Sequence, residues 1–250
     1  TRAITVFYAL VGADTNDTRN AIQKEFSPKF AAHEDAIKLN GKLFARIDAL
    51  YGKRAELGLQ PEELRLLERY HRDFVRAGAR LSEAEKETLR KINAELAALS
   101  TQFSQNVLNE VNASAVVVDD VRELDGLTPA QIAAAAEEAK SRGLAGKYVL
   151  TLLNTTGQPL ESVLTNRALR QRIHEASVAR GSRGGPYDNR EIISRVMKLR
   201  AERAKLTGYA NYASYVLENQ TALTPDAVNK MLGQLAPAAV ENAKREAAEL

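Results

Sequence analysis

Cysteine is absent from the 250 residues of this chain, and the absence excludes several kinds of chemistry. Disulfide bonds, cysteine-ligated zinc, iron–sulfur clusters and thiol nucleophiles all need this side chain. The compartment does not follow from it, because cytosolic and exported proteins can both lack cysteine.

Aromatic residues are scarce, at 6% of the chain, and tryptophan is missing. The hydrophobic content of 44% therefore comes mainly from Ala, Leu, Ile and Val, a balance that favours packed helices over a sheet-rich sandwich. No apolar run approaches the roughly 18 residues that span a bilayer, and no signal-peptide pattern opens the chain. We therefore expect no membrane partner.

Neither sign of charge dominates, since 35 basic residues face 32 acidic ones and the net charge is only +3. Proteins that bind nucleic acid usually cluster their Lys and Arg on one face. The small excess here is spread along the chain, and we predict no nucleic-acid partner.

Helix-capping signals are frequent along the chain. Thr15-Asn16-Asp17 offers caps for a helix with an apolar stripe at Ile22, Phe26, Phe30 and Ile37. Pro61 suits a first helical turn, and Ser82–Glu85 and Thr128–Gln131 have the spacing of capping boxes. The longest predicted helix follows Ser82, with apolar residues from Leu89 to Val107. Later helices are predicted over about 166–180, 188–206, 211–217 and 224–235.

Two short stretches, 115–118 and 148–153, break the helical period. Both are apolar and are bounded by Asp, Gly or Asn, which is typical of strands. We expect them to pair as a small β-ribbon on an otherwise all-α fold.

Both ends of the chain fall within sequence that predicts regular secondary structure. The chain starts in an apolar stretch, 4–11, with no cap before it, and stops in 240–250, which has good helix propensity and no stop signal. We therefore expect residues 1–250 to form one helical domain fragment of a longer polypeptide.

The three histidines give no metal site by spacing. His33 and His71 each fall on an apolar helix face, where a hydrogen-bonded interior or edge histidine is the ordinary finding. His174 and Glu175 begin the zinc-peptidase motif His-Glu-x-x-His, but position 178 is Val. We expect His174 to face solvent, and we assign no metal ligand in this chain.

Other catalytic patterns are also missing from the sequence. There is no Gly-x-Ser-x-Gly elbow, and the glycine-rich stretch 181–185 lacks the Gly-Lys-Ser/Thr ending of a phosphate loop. We expect this stretch to be a helix connection that ends where Asp188 caps the next helix. Glu191 and Arg195 have the spacing of a helical ion pair, and Arg195 begins a basic segment, 195–205. No catalytic residue is assigned.

Several strings together, in this order and spacing, resemble the thimet-oligopeptidase-like family of zinc metallopeptidases, and in particular its dipeptidyl carboxypeptidase branch. They are NGKLFARI (40–47), FVRAGA (74–79), LLNTTGQP (152–159), ARGSRG (179–184), DN (188–189), LRAERA (199–204), LTGYANYASY (206–215) and TP (224–225).

The resemblance implies a mostly helical, clamshell-like enzyme whose deep channel admits short peptides, with dipeptides released from free C-termini. It implies one zinc in the full-length parent, bound outside this chain by a motif that lies further along, and it assigns residues 1–250 to the upper, N-terminal half. The fragment alone is predicted to be inactive, with short peptides and the remainder of the parent as its partners. Asn154, Thr155 and Thr156 follow the second predicted strand and are candidates to hydrogen-bond a peptide backbone. A simple strand-ending turn is the alternative for them.

A non-enzymatic helical interaction module is the alternative function. The Leu89–Phe103 stripe or the basic segment 195–205 would then hold a partner helix or an acidic surface, although the uncapped ends argue against it. We expect the parent in the cytoplasm, with the periplasm as the alternative if a leader has been removed.

Overall fold

The computed structural model describes residues 2–152 and 158–249. Two of its helices begin directly after the capping residues that the sequence predicts. The Ser82 amide donates to Glu85 Oε2 at 2.9 Å, and the Thr128 amide donates to Gln131 Oε1 at 2.8 Å. These capping boxes precede the helices Glu83–Ala113 and Pro129–Ser141, so both predicted starts are confirmed.

The described residues form ten α-helices and one two-stranded antiparallel ribbon, which confirms the predicted all-α fold with its small ribbon. The helices are α1 (Arg2–Ala13), α2 (Asp17–Lys38), α3 (Gly41–Gly52), α4 (Pro61–Arg76), α5 (Glu83–Ala113), α6 (Pro129–Ser141), α7 (Arg167–Val178), α8 (Arg190–Leu206), α9 (Tyr212–Leu217) and α10 (Pro225–Ala248). The strands are β1 (Val116–Val118) and β2 (Tyr148–Leu150), and short 3-10 turns cover Val121–Leu124 and Pro159–Ser162.

The residues cluster into two compact units, one made of 1–24 and 98–194 and the other of 25–97 and 195–250. In the first unit the ribbon pairs Val116 with Leu150 and Val118 with Tyr148. Its buried face joins the turn 121–124 and α7 in one core, in which Val118, Leu124 and Leu169 are fully buried. The apolar composition of both strands, which is β-branched throughout β1, thus explains both the pairing and the core.

The second unit has a smaller aromatic core. Phe44 of α3 stacks on Phe74 of α4 with ring centroids 6.4 Å apart. His71 lies beside them, stacked on Tyr51 at 3.8 Å, and its Nε2 is 2.9 Å from Asp48 Oδ1. The hydrogen bond from His71 lowers the pKa of Asp48. The prediction of a hydrogen-bonded interior histidine is confirmed at position 71.

Helix α2 forms where predicted, but it does not bury the predicted stripe. Ile22, Phe26 and Ile37 are each close to 40% exposed, whereas Asp35 is buried. Asp35 Oδ1 accepts a 2.7 Å hydrogen bond from Asn93 Nδ2. Burial raises the pKa of Asp35, and the hydrogen bond from Asn93 partly offsets this.

Helix α10 continues well past the predicted end near residue 235, because the Ala-rich sequence after Pro237 retains high helix propensity. Pro237 lies inside the helix, where a proline lacks the amide of one hydrogen bond. No helix among the described residues is both long and apolar enough to cross a membrane.

Gly126 sits where no side chain fits. Its φ is +97°, and an added Cβ would lie 2.0 Å from the Val163 carbonyl oxygen. Gly143 also has a positive φ, +74°, but an added Cβ there would meet nothing within 4 Å. A substitution at Gly126 therefore introduces both a steric clash and backbone strain, whereas one at Gly143 introduces backbone strain alone.

We expect Gly126→Ala to lower the free energy of unfolding by about 3 kcal/mol or more, because the Val163 backbone has to move. Gly143→Ala should cost only about 1–2 kcal/mol, the strain of a left-handed alanine. Urea titrations of both variants test this. Equal losses would show that the Gly126 contact has no steric role.

Candidate functional site

A groove of about 440 Å³ runs between α6, β2 and the turn 159–162 in the first unit. Most of its walls are aliphatic, and polar groups occur at only a few positions. It is lined by Leu127, Gln131, Ala134, Ala135, Glu138, Val149, Leu150, Thr151, Gln158, Pro159 and Leu160. A concave, mainly apolar surface with a few fixed polar groups is the usual form of a ligand site.

The polar side chains of the groove are held by neighbours. Gln131 accepts from Thr128 in the capping box, and Glu138 accepts from Arg142 Nε at 2.7 Å. Gln158 Nε2 donates to Ser177 Oγ at 3.1 Å. These bonds fix the polar positions, so the groove offers a shaped apolar surface and, among the described residues that line it, no paired acid and base.

Strand β2 borders the groove through Val149, Leu150 and Thr151. Within residues 2–152 and 158–249 the sheet has two strands, so β2 pairs with β1 along one edge and with no strand along the other. An unpaired strand edge presents backbone donors and acceptors, and an extended peptide can add to it as a further strand.

The chain on both sides of 153–157 is fixed to the C-terminal end of α7. Arg180 Nη2 donates to the Leu152 carbonyl at 2.7 Å, and Gln158 is bonded to Ser177. Leu152 and Gln158 are both buried. The predicted peptide-binding residues Asn154, Thr155 and Thr156 lie outside the described residues.

A buried carboxylate holds the glycine-rich connection after α7. Glu110, near the end of α5, is 7% exposed at its side chain and accepts from the Gly181 amide and from Arg183 Nε at 3.0 Å. Arg183 Nη2 in turn donates to the Ala176 carbonyl. The stretch 181–185 is therefore a helix connection, as predicted, and it is anchored by the Glu110 carboxylate, which no motif in the sequence indicates.

Asp188 caps the start of α8, as predicted. It accepts from the Arg190 amide at 2.9 Å and from the Gly184 amide at 2.8 Å. Hydrogen bonds from the Arg190 side chain and backbone lower the pKa of Asp188, so the carboxylate stays charged.

Among the described residues, none of the three histidines belongs to a group of possible metal ligands. His33 is exposed, and His174 is 63% exposed, with Nδ1 3.9 Å from Glu161 Oε1, which confirms that His174 faces solvent. In the part of the chain that the structure describes, no three His, Asp or Glu side chains are placed to share a metal ion. Residues 2–152 and 158–249 therefore do not fit a catalytic zinc.

The basic segment 195–205 makes contacts within its own unit. Arg195 pairs with Glu95 through two bonds of 2.6 and 2.7 Å, so the expected pairing with Glu191 is not the one formed. Arg203 donates to the Tyr215 hydroxyl at 2.9 Å. Glu95 lies 100 residues earlier in the chain, and no local spacing signals that contact.

Known proteins are similar to the whole chain. A model of peptidase family M3 matches residues 163–250. The dipeptidyl carboxypeptidase of Escherichia coli is 39% identical over 250 residues, which is 100% of this chain. The chain belongs to peptidase family M3. This agrees with the resemblance inferred from the sequence strings.

Other relatives in family M3 carry oligopeptidase names. Oligopeptidase A of Haemophilus influenzae is 34% identical over 72% of the chain, and a protein of Arabidopsis thaliana named "Probable cytosolic oligopeptidase A" is 30% identical over 95% of it. The chain spans only 37% of the length of the E. coli relative, and 27% and 34% of these two.

The Glu110 anchor gives a stability prediction. Glu110→Gln should lower the free energy of unfolding by about 2 kcal/mol, because the amide cannot accept charge-assisted bonds from both Gly181 and Arg183. Glu137→Gln is the matched control, since Glu137 is 74% exposed and only pairs with Lys140, and its change should stay within about 0.5 kcal/mol. Chemical denaturation of both variants measures the difference, and equal effects would contradict the anchoring role.

Proposed function

We propose that this M3 chain is the N-terminal part of a zinc metallopeptidase that cleaves short peptides and releases dipeptides from free C-termini. The observation that carries the proposal is the alignment of all 250 residues with the E. coli dipeptidyl carboxypeptidase at 39% identity. The zinc belongs to residues outside this chain, because the His-Glu pair at 174–175 is followed by Val178 in place of a second histidine.

In this proposal residues 1–250 are the upper half of a clamshell and form a wall of its peptide channel. The groove beside β2 supports this role, because it combines an apolar surface with an unpaired strand edge. An extended peptide would bond its backbone along β2 and place an aliphatic side chain on α6. Asn154, Thr155 and Thr156, which directly follow this strand region in sequence, would bond the same backbone.

The activity is tested on the full-length parent. We expect zinc-dependent removal of dipeptides from a short peptide with a free C-terminus and no cleavage of the same peptide with an amidated end, because dipeptide release requires the free carboxylate. Mass spectrometry of the products distinguishes this from internal cleavage. A chelator should abolish the activity, and added zinc should restore it.

The chain of residues 1–250 by itself should neither hydrolyse these peptides nor bind zinc stoichiometrically. Hydrolysis by this piece alone, or a bound zinc found by metal analysis, would contradict the assignment of the metal to other residues.

The groove is tested by a charge placed on its wall. In the parent, Ala134→Glu should raise KM for an aliphatic peptide by about tenfold with little change in kcat, because the carboxylate disrupts ground-state binding. Ala133→Glu is the matched control, since Ala133 is also exposed on α6 but does not line the groove. Asn154→Ala should raise KM by a smaller factor. Equal KM values for the two glutamate variants would show that the groove does not take part in substrate binding.

We also place the parent in the cytoplasm, with the periplasm as the alternative. The support is the Arabidopsis relative, whose name refers to the cytosol. Cell fractionation with an antibody to this chain distinguishes the two, and recovery in the periplasmic fraction would contradict the cytoplasmic assignment.

A further inference from the structure

Helix α10 is the most exposed long element of the second unit. None of its 24 residues is buried, and every residue from Asn229 to its end at Ala248 is exposed. Large apolar side chains are among them. Met231, Leu232 and Leu235 are 51%, 50% and 59% exposed.

The apolar residues of α10 share one face. Val228, Met231, Leu232 and Leu235 follow the spacing i, i+3, i+4 and i+7, which defines a continuous stripe on a helix; we call these four residues the α10 stripe. The opposite face is polar. Lys230 lies there, and Glu241 pairs with Lys244 at 2.9 Å. The helix is therefore amphipathic along its first three turns, and in the described part of the chain most of its apolar side is exposed.

The sequence of α10 does not favour an isolated helix. Gly233 and Pro237 both lie inside it, and each lowers helix stability relative to alanine. Helices of this length in water depend mainly on packing of their apolar face. Within the described residues Val228 is only partly buried, and Met231, Leu232 and Leu235 lack such packing, so the sequence pattern of the helix favours a partner surface.

We propose that the α10 stripe is an interface with the part of the parent polypeptide that lies outside residues 1–250. This rests on the proposed function, in which the chain is one part of a larger peptidase. The family M3 model matches 163–250 and so includes all of α10, while the chain spans only 37% of the E. coli relative. Polypeptide of the same molecule is thus available to cover the stripe.

The chemistry of the stripe defines its partner surface. Four aliphatic or thioether side chains with no charge between them suit a helix face or groove that is itself apolar, and they exclude a charged ligand as the occupant. A second copy of the chain is the competing occupant, and the experiment has to distinguish it by concentration dependence.

Cysteine labelling in the full-length parent tests the proposal, because residues 1–250 contain no cysteine to interfere. Met231→Cys and Leu235→Cys probe the stripe, and Lys230→Cys and Lys244→Cys probe the opposite face as matched controls. Each variant is treated with N-ethylmaleimide, and the labelled fraction of the peptide that contains the new cysteine is measured by mass spectrometry. Denatured samples give the reference rate.

We expect the two stripe cysteines to react at least tenfold more slowly than the two controls in the native parent, with equal rates for all four in denaturant. Protection should not change on dilution. Stripe cysteines that react as fast as the controls would overturn the proposal. Protection that is lost on dilution would also overturn it, because a second copy would then be the occupant.

Hydrogen exchange on the unmodified parent gives the same information without a substitution. Amides of residues 229–236 should be protected, and full exchange within seconds would overturn the proposal. Peptidase activity of the unmodified parent is measured separately. Absence of activity would contradict the proposed function, whereas labelling and exchange report on the interface alone.

Discussion

The buried carboxylate of Glu110 is the constraint on which the candidate site depends. It bonds the Gly181 amide and Arg183, and Arg183 bonds the carbonyl of Ala176 in α7. The C-terminal end of α7 is thereby fixed against α5. That same end holds Leu152 through Arg180 and Gln158 through Ser177. A single buried charge, satisfied on both oxygens, thus positions the two chain segments that border the groove.

A second buried ion, Arg76, organises the other unit. Its guanidinium donates to the Tyr215 carbonyl at 2.6 Å, pairs with Glu218 and lies 4.7 Å from the Tyr215 ring. Burial and the bond to Glu218 raise the pKa of Tyr209 to about 12. Burial also raises the pKa of Glu218, but hydrogen bonds from Tyr209 and Arg76 outweigh it, and the net shift is downward. The Glu218 carboxylate therefore stays charged at neutral pH, and its ion pair with Arg76 connects α4 to the end of α9, the helix that precedes α10.

In the proposed peptidase, substrate binding and catalysis are assigned to different parts of the polypeptide. In the proposed function, the apolar groove and the edge of β2 that has no partner strand among the described residues would supply shape and backbone hydrogen bonds to a bound peptide. Proton transfer and activation of water need groups of a different kind, and no group of three possible metal ligands occurs in the described part of the chain. The chain spans 37% of the length of its E. coli relative, and in the proposed function the zinc ligands lie in the remaining part.

Local interactions made much of this protein predictable from its sequence. Capping boxes at Ser82 and Thr128 and the two β-branched strands each depend on residues a few positions apart, and the family resemblance depends on short ordered strings. Contacts between distant residues were decided by the tertiary structure alone. Arg195 pairs with Glu95 because the fold brings them together, and Glu110 meets Gly181 across 71 residues. No periodicity encodes such pairs, and so the groove and its anchor emerged only from the packing of α5, α6, α7 and β2.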